Sequence, residues 1–288
     1  MKTMAMCVAA LVATLGMAAA AQPMRVEAVQ YPAWLERGGY RVPLVPGTEL
    51  RSNDGVHTGA NARAVLRLGE GSTVKLGENA RFRIERVEHK SVFRAALQVI
   101  AGAFRFTTQA IAKRQRRDVT IKVNSITAGI RGTDVWGKST GERDLVCLLE
   151  GRVQVAAEGR EPVTLDTPLD FYQKPRDGEP ALAHVDAAQV EIWSRETEIA
   201  ADGPAASMQG DWRVIASKFE RRDAALALRS RLRAAGYPAR LVDEKNGIFV
   251  VEIPGLAGET AARTVMADIR AIPGVTIPSV KRTDRDDR

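Results

Sequence analysis

The chain has 288 residues, a length that corresponds to about two domains. Hydrophobic residues make up 45% and charged residues 27% of the chain, which excludes a wholly disordered chain, a collagen-like repeat and a multi-span membrane protein. The 42 Lys and Arg residues outnumber the 35 Asp and Glu residues and give a net charge of +7. An excess spread along the chain indicates solubility and some affinity for polyanions, but no particular partner.

The first residues have the pattern of a secretory signal peptide. A short basic start is followed by an apolar run from Met4 to Leu15 and by small residues up to Ala21. This pattern predicts cleavage before Gln22, leaving 267 residues as a periplasmic protein with no integral membrane span. An uncleaved membrane anchor is the alternative, because the apolar run is nearly long enough to cross a bilayer.

The chemistry-bearing residues are sparse. Two cysteines, Cys7 and Cys147, are too few for a disulfide framework or a cysteine-based zinc site. Cys147 lies in an apolar run and has no partner once Cys7 is removed, so we expect it to be buried and inert. The histidines, His57, His89 and His184, have no other ligand at metal-binding spacing. We therefore expect no metal, no cofactor and no enzymatic activity. No catalytic carboxylate pair is identifiable in the sequence, but such pairs leave weak sequence signatures. A hydrolase that cleaves the cell wall therefore stays an alternative.

The first long segment, residues 22–180, alternates apolar and polar residues with a period of two. Residues 63–68 and 73–77 flank a glycine-containing turn and predict a hairpin. The same alternation recurs over 81–85, 103–107 and 120–123. Short strands separated by glycine turns predict an all-β domain, either a curled sandwich or a solenoid-like sheet.

Residues 181–210 have a different composition. Asp186 can cap a helix that carries Val190 and Trp193 at a spacing of three. From residue 200 the segment is rich in Ala, Gly, Pro and Ser without periodicity. This predicts a short helix followed by a flexible linker.

The last segment, residues 211–283, alternates predicted strands and helices. A strand at 212–216 precedes a helix capped by Asp223 and ended by Gly236. A hairpin turns at Asn246-Gly247, and a second helix and a final strand follow, over 259–272 and 276–281. The order β-α-β-β-α-β is that of the split βαβ, ferredoxin-like motif. Both helices should cover one sheet face and leave the other free for a ligand. Residues 284–288 form a tail.

Residues 43–174 resemble the FecR domain. The resemblance rests on Leu66–Leu76 (LRLGEGSTVKL), on Val123–Val135 with its Arg131-Gly132-Thr133 element, and on Leu148–Val153 (LLEGRV). It implies the family's β fold. The founding members are regulators that pass a signal from an outer-membrane receptor to a sigma factor, through a cytoplasmic segment and a membrane helix that this sequence does not show. We therefore carry over the fold and expect an envelope protein as partner.

Residues 211–282 resemble the SPOR domain, through Trp212–Phe219, Gly236–Ala239 and Phe249–Leu256. The resemblance implies binding of peptidoglycan glycan strands that have lost their stem peptides. Two positions depart from the family pattern: Ile215 stands where a glutamine is usual, and Glu252 where an outward arginine is usual. These substitutions remove or invert two polar groups of the implied binding face.

Strand alternation predicts which side chains form that face. Every second residue of a strand points to the same side, so Arg213, Ile215 and Ser217 should face away from the helices, as should Val250 and Glu252. The candidate glycan-binding residues are Arg213, Ile215, Ser217, Lys218, Phe219, Val250 and Glu252. Split βαβ sheets also bind RNA through stacked aromatic residues, but these outward positions are not aromatic, so we expect no nucleic acid partner.

The sequence thus predicts an exported, non-enzymatic binding protein. Its SPOR-like part would bind peptidoglycan, in the context of the cell envelope and of cell division, and its FecR-like part would bind an envelope protein. The alternative is a periplasmic signal-sensing or regulatory protein that acts through the FecR-like part.

Overall fold

The structure is a computed structural model that describes residues 23–89, 92–108, 116–200, 203, 205–244 and 247–283. These residues form a mostly β-sheet fold, with 51% of them in strands and 13% in helices. In the part of the chain described, no helix has the length and apolar character needed to cross a membrane. The predicted signal peptide and the tail at 284–288 lie outside the described residues.

Within the described residues, seventeen strands precede the first helix. They are β1 (Met24–Gln30), β2 (Ala33–Arg37), β3 (Tyr40–Pro43), β4 (Glu49–Leu50), β5 (Gly55–Thr58), β6 (Arg63–Arg67), β7 (Thr73–Leu76), β8 (Arg81–His89), β9 (Val92–Thr107), β10 (Arg116–Val123), β11 (Ile126–Ile130), β12 (Asp134–Ser139), β13 (Arg143–Glu150), β14 (Val153–Ala157), β15 (Val163–Leu165), β16 (Asp170–Pro175) and β17 (Ala181–His184). The remaining elements are α1 (Ala187–Arg195), β18 (Ala206–Ser207), β19 (Trp212–Phe219), α2 (Arg222–Ala234), β20 (Arg240–Asp243), β21 (Phe249–Leu256), α3 (Glu259–Ile269) and β22 (Ser279–Arg282).

The strands up to β17 form two packed sheets. One sheet runs β17-β16-β13-β12-β9-β7-β6-β1, and the other runs β3-β2-β5-β8-β9-β10-β11-β14-β15. Inward side chains of both sheets meet in one core, for example Leu66 and Phe106 from one sheet and Phe82 and Leu97 from the other. The predicted all-β segment is therefore confirmed, in the form of a curled sandwich.

Strand β9 belongs to both sheets and bends between them at Gly102. This glycine has a φ of +86°, and a Cβ atom placed on it would lie 2.6 Å from the Cα of Ala80. Only glycine adopts this φ at little cost and fits against a neighbouring backbone this closely. The sandwich therefore depends on glycine at this bend.

Helix α1 begins at the predicted cap, Asp186, and covers the outer face of the first sheet. The Asp186 side chain accepts a hydrogen bond from the backbone N–H of Gln189 at 2.7 Å. The Trp193 ring stacks on Trp136 with centroids 4.8 Å apart. Beneath this helix Cys147 is buried, and burial raises its pKa to about 12. The prediction that Cys147 is buried is confirmed.

The segment after α1 is attached to the sandwich by ion pairs. Glu196 binds Lys138 at 2.8 Å, and Glu198 binds both Lys75 and Arg105 at 2.6 and 3.1 Å. The predicted linker over 200–210 also contains β18, which pairs with β1 and with β21. In this respect the linker prediction is wrong at Ala206–Ser207, because backbone pairing with distant strands does not depend on local composition.

The C-terminal elements occur in the predicted β-α-β-β-α-β order. The sheet order is β22-β19-β21-β20, with antiparallel neighbours, and α2 and α3 pack on one face of this sheet. That face buries Val214, Val251 and Ile253 in the same cluster as Leu228 and Val265 of the helices. Helix α2 begins after Arg221 rather than at the predicted cap Asp223, whose carboxylate binds the Arg221 side chain instead.

The C-terminal part also contacts the sandwich directly. The backbone N–H of Ala33 donates to the carbonyl of Gly236 at 3.3 Å, and the indole N–H of Trp34 donates to the carbonyl of Ala234 at 3.1 Å. The rings of Tyr31 and Tyr237 meet with centroids 6.1 Å apart. The end of α2 is therefore anchored to the β1–β2 region.

Candidate functional site

The predicted glycan-binding residues lie on the two central strands of the C-terminal sheet. Cross-strand pairing places Ile215 opposite Glu252, and Lys218 opposite Val250. Residues opposite each other share a face. We call the face opposite the helices the basic face, formed by Arg213, Ile215, Lys218, Arg240, Val250, Glu252 and Lys281.

Two predicted members of this face are turned to the other side. The pairing of β19 with β21 shifts between Ile215 and Ser217, as at a β-bulge. Ser217 consequently faces Val251, and its hydroxyl donates to the carbonyl of Gly274 at 2.9 Å. Its oxygen also accepts from the backbone N–H of Thr276 at 2.9 Å. Simple alternation gave the wrong side for Ser217.

Phe219 follows the same shift. It pairs with Phe249, and both rings pack partly buried against the helix-covered core. The bulge changes the side of every following residue relative to unbroken alternation. Phe219 therefore supports the core rather than the basic face.

The centre of the basic face is buried rather than open, which corrects the expectation of a free surface. Ile215, Val250 and Glu252 are only 7%, 3% and 2% exposed. Glu252 binds Arg240 at 2.7 Å and Arg213 at 3.6 Å. Because both guanidinium groups reach Glu252, their side chains lie across the face. Glu252 therefore acts as an anchor for two arginines.

Two basic residues were not among the predicted site residues. Arg240 pairs with Glu252 across β20 and β21, and Lys281 pairs with Arg213 across β19 and β22. Lys218 is half exposed and binds Glu244 at 3.0 Å. The periodicity of β20 and β22 alone does not reveal these positions, because each strand has only four residues. The face combines four basic side chains with one buried carboxylate.

A second candidate surface lies on the sandwich at the β3 edge. Strand β3 pairs with β2 on one side, and among the described strands no other pairs with it. Tyr40, Val42 and Val45 are 79%, 38% and 40% exposed. Beside them, the guanidinium of Arg41 lies 4.2 Å from the ring centroid of Trp34. An exposed strand edge with apolar side chains is suited to pairing with an extended segment of another protein.

One buried carboxylate, that of Asp144, stabilises the sandwich. Asp144 is 0% exposed, and Arg176 donates to both of its oxygens at 2.8 and 2.9 Å. Ser139 donates to it at 2.7 Å, and the backbone N–H of Ser125 at 3.0 Å. Together these contacts join three separate turns of the chain.

Two histidines, His57 and His184, pair with carboxylates. His57 contacts Glu36 at 3.0 Å, and His184 contacts Asp170 at 2.8 Å. Desolvation by burial lowers the pKa of His57. Among the described residues, no group of three or more His, Cys, Asp and Glu side chains has the arrangement of a metal site.

Two of the solved structures that are similar to this chain are of a candidate anti-sigma factor from Parabacteroides distasonis. The first is 15% identical with a TM-score of 0.42, and the match covers 49% of this chain and 64% of the other. The second is 13% identical with a TM-score of 0.42, and the match covers 80% and 99%. The chain thus spans less than two thirds of the first of these structures. No curated protein matches the chain.

Residues 54–154 match the family model described as "FecR protein". These residues run from β5 to β14 and lie inside the predicted range of 43–174. They contain Asp144 and the Arg131-Gly132-Thr133 element. The match ends before the C-terminal sheet, so the SPOR resemblance of residues 211–282 stays a prediction. The chain contains a FecR domain at residues 54–154.

Proposed function

We propose that this chain is an exported, non-enzymatic regulatory protein that binds an envelope protein through the sandwich that contains its FecR domain, and peptidoglycan glycan strands through its basic face. The FecR domain at residues 54–154 is the observation that carries the proposal. The glycan-binding part rests on the arrangement of the C-terminal sheet. Export rests on the predicted signal peptide.

The β3 edge is the surface of the sandwich best suited to a protein partner. It offers unpaired backbone groups and the exposed side chains of Tyr40 and Val42. It lies beside β5, the first strand of the FecR domain, through β2. Backbone pairing would supply affinity, and the apolar side chains would supply specificity.

Photo-crosslinking tests this partner surface. We expect a photoreactive residue at Val42, in the full chain expressed in its own cells, to form an adduct with an envelope protein. The matched control is the same residue at Glu179, which is exposed on the far edge of the other sheet. Equal adducts at both positions, or none at Val42, would contradict a role for the β3 edge.

The basic face suits a glycan that carries carboxylates. Removing stem peptides with an amidase leaves one free carboxyl group on each processed sugar. Lys218 and Lys281 are exposed, and Arg213 and Arg240 are held across the face by Glu252. Basic side chains arranged in this way attract such carboxylates. Ile215 and Val250 are buried beneath these side chains and support them rather than contact the glycan.

Co-sedimentation with purified cell-wall sacculi tests glycan binding. We expect the full chain to bind more strongly after amidase treatment, and Lys218→Glu/Lys281→Glu to weaken that binding at least about tenfold at low salt. Both lysines are exposed, so the fold should be kept. The control is Arg222→Glu on α2, on the opposite side of the sheet.

The two halves of the proposal fail separately. No binding to sacculi before or after amidase would mean that Ile215 and Glu252 have removed the ligand from this face, while the FecR-based role would stand. Release of soluble wall fragments by the pure protein would contradict the non-enzymatic part.

A further inference from the structure

A cleft lies where the C-terminal part meets the sandwich. One wall comes from the turn after β1, with Tyr31, and from the turn before β6, with Asn61. The other comes from Tyr237 after α2 and from Thr264 and Asp268 of α3. The volume of about 470 Å³ is within the range of small-ligand sites, which often lie between structural units.

The cleft is rich in polar groups that the protein does not use internally. Within the described residues, no hydrogen bond engages the phenol hydroxyls of Tyr31 and Tyr237, the side-chain amide of Asn61 or the carboxylate of Asp268. These groups come from both walls and approach a common space. A ligand with several hydrogen-bonding groups could engage them together.

The charge of the lining limits the class of ligand. The residues that line the cleft include no Lys, Arg or His, although the chain as a whole carries a net charge of +7. A phosphate or carboxylate ligand would meet Asp268 without any compensating cation. Burial also raises the pKa of Tyr237 to about 12, so its hydroxyl stays a neutral donor.

The pairing of amide, phenol and carboxylate groups favours hydroxyl-bearing ligands. A carboxylate accepts from hydroxyls and an amide both donates and accepts, which matches the neighbouring hydroxyls of a sugar ring. Asp268 remains exposed to solvent, and partial desolvation raises the pKa of its carboxyl group. Pro32 and Val265 add apolar contacts beside these groups.

We propose that this cleft binds a neutral saccharide unit, held by Tyr31, Asn61, Tyr237 and Asp268. The site is separate from the basic face, which lies on the opposite side of the C-terminal sheet from α3. Because the two walls belong to different parts of the chain, the bound sugar links them. Its binding would therefore stabilise their contact.

Calorimetric titration of the full chain with a neutral N-acetylglucosamine tetramer tests the inference. We expect saturable binding that Asp268→Asn weakens at least about tenfold, through the loss of a charged acceptor. Tyr237→Phe removes one hydroxyl and should weaken binding by a smaller factor. The matched control is Asp177→Asn, an exposed aspartate outside the cleft.

The outcomes separate this site from the basic face. Lys218→Glu/Lys281→Glu should leave tetramer binding unchanged, and loss of binding in that variant would overturn the assignment to the cleft. Absence of binding up to about 10 mM tetramer, or equal binding by Asp268→Asn and the parent chain, would overturn it too. Preference for a neutral tetrapeptide of alanine over the sugar would overturn the ligand class.

Discussion

Replacing Asp144 with alanine is expected to destabilise the sandwich by about 3–5 kcal/mol, because it leaves Arg176 without its buried counter-charge. The carboxylate accepts hydrogen bonds from Nη1 and Nη2 of Arg176 and from the hydroxyl of Ser139. It also accepts a hydrogen bond from the backbone N–H of Ser125 in the β10–β11 turn. One substitution therefore leaves several donors without an acceptor.

Thermal unfolding followed by circular dichroism measures this effect. A loss of this size corresponds to a fall in Tm of roughly 6–20 °C for a chain of this length. Asp177→Ala, an exposed aspartate next to Arg176 in sequence, is the matched control and should change Tm little. If Asp144→Ala unfolds at the temperature of the parent chain, the side chains around Arg176 do not hold these turns together.

Replacing Gly102 with alanine should cost about 2–5 kcal/mol, from two additive causes. The left-handed φ of +86° penalises any residue with a Cβ atom, by about 1–2 kcal/mol. In addition the new Cβ would lie 2.6 Å from the Cα of Ala80, and relieving such overpacking costs about 1–3 kcal/mol. Because β9 passes between the two sheets here, the shift affects the whole sandwich.

Gly132→Ala separates the two causes. Gly132 also has a positive φ, of +71°, but a Cβ atom there meets nothing within 4 Å. Chemical denaturation should show a small loss for Gly132→Ala and a larger one for Gly102→Ala. Equal losses in the two variants would mean that Ala80 moves aside freely and that only the backbone conformation matters.

In these two proposals, the cleft and the basic face bind glycans in distinct ways. The basic face would recognise carboxylates on long strands, whereas the cleft would recognise a neutral sugar through uncharged groups and one carboxylate. The FecR domain lies between the β3 edge and the C-terminal part in sequence. In this proposal, binding at the cleft affects how the C-terminal part is held against the sandwich.

The sequence by itself determined the local elements and their order. Alternating residues specified the hairpin of β6 and β7, since Ala64, Leu66, Val74 and Leu76 are all fully buried. The Asp186 cap and the β-α-β-β-α-β order were also predicted correctly. These features depend on residues that are close together in the chain, where periodicity and capping act.

Only the tertiary structure decided which side chains share a surface. The bulge between Ile215 and Ser217 depends on pairing with β21 and turns Ser217 away from the basic face. Glu252 anchors Arg240 and Arg213, and Tyr31 meets Tyr237 across the cleft. Such contacts join residues far apart in sequence. They depend on strand register and on packing between elements, neither of which is encoded in a local pattern.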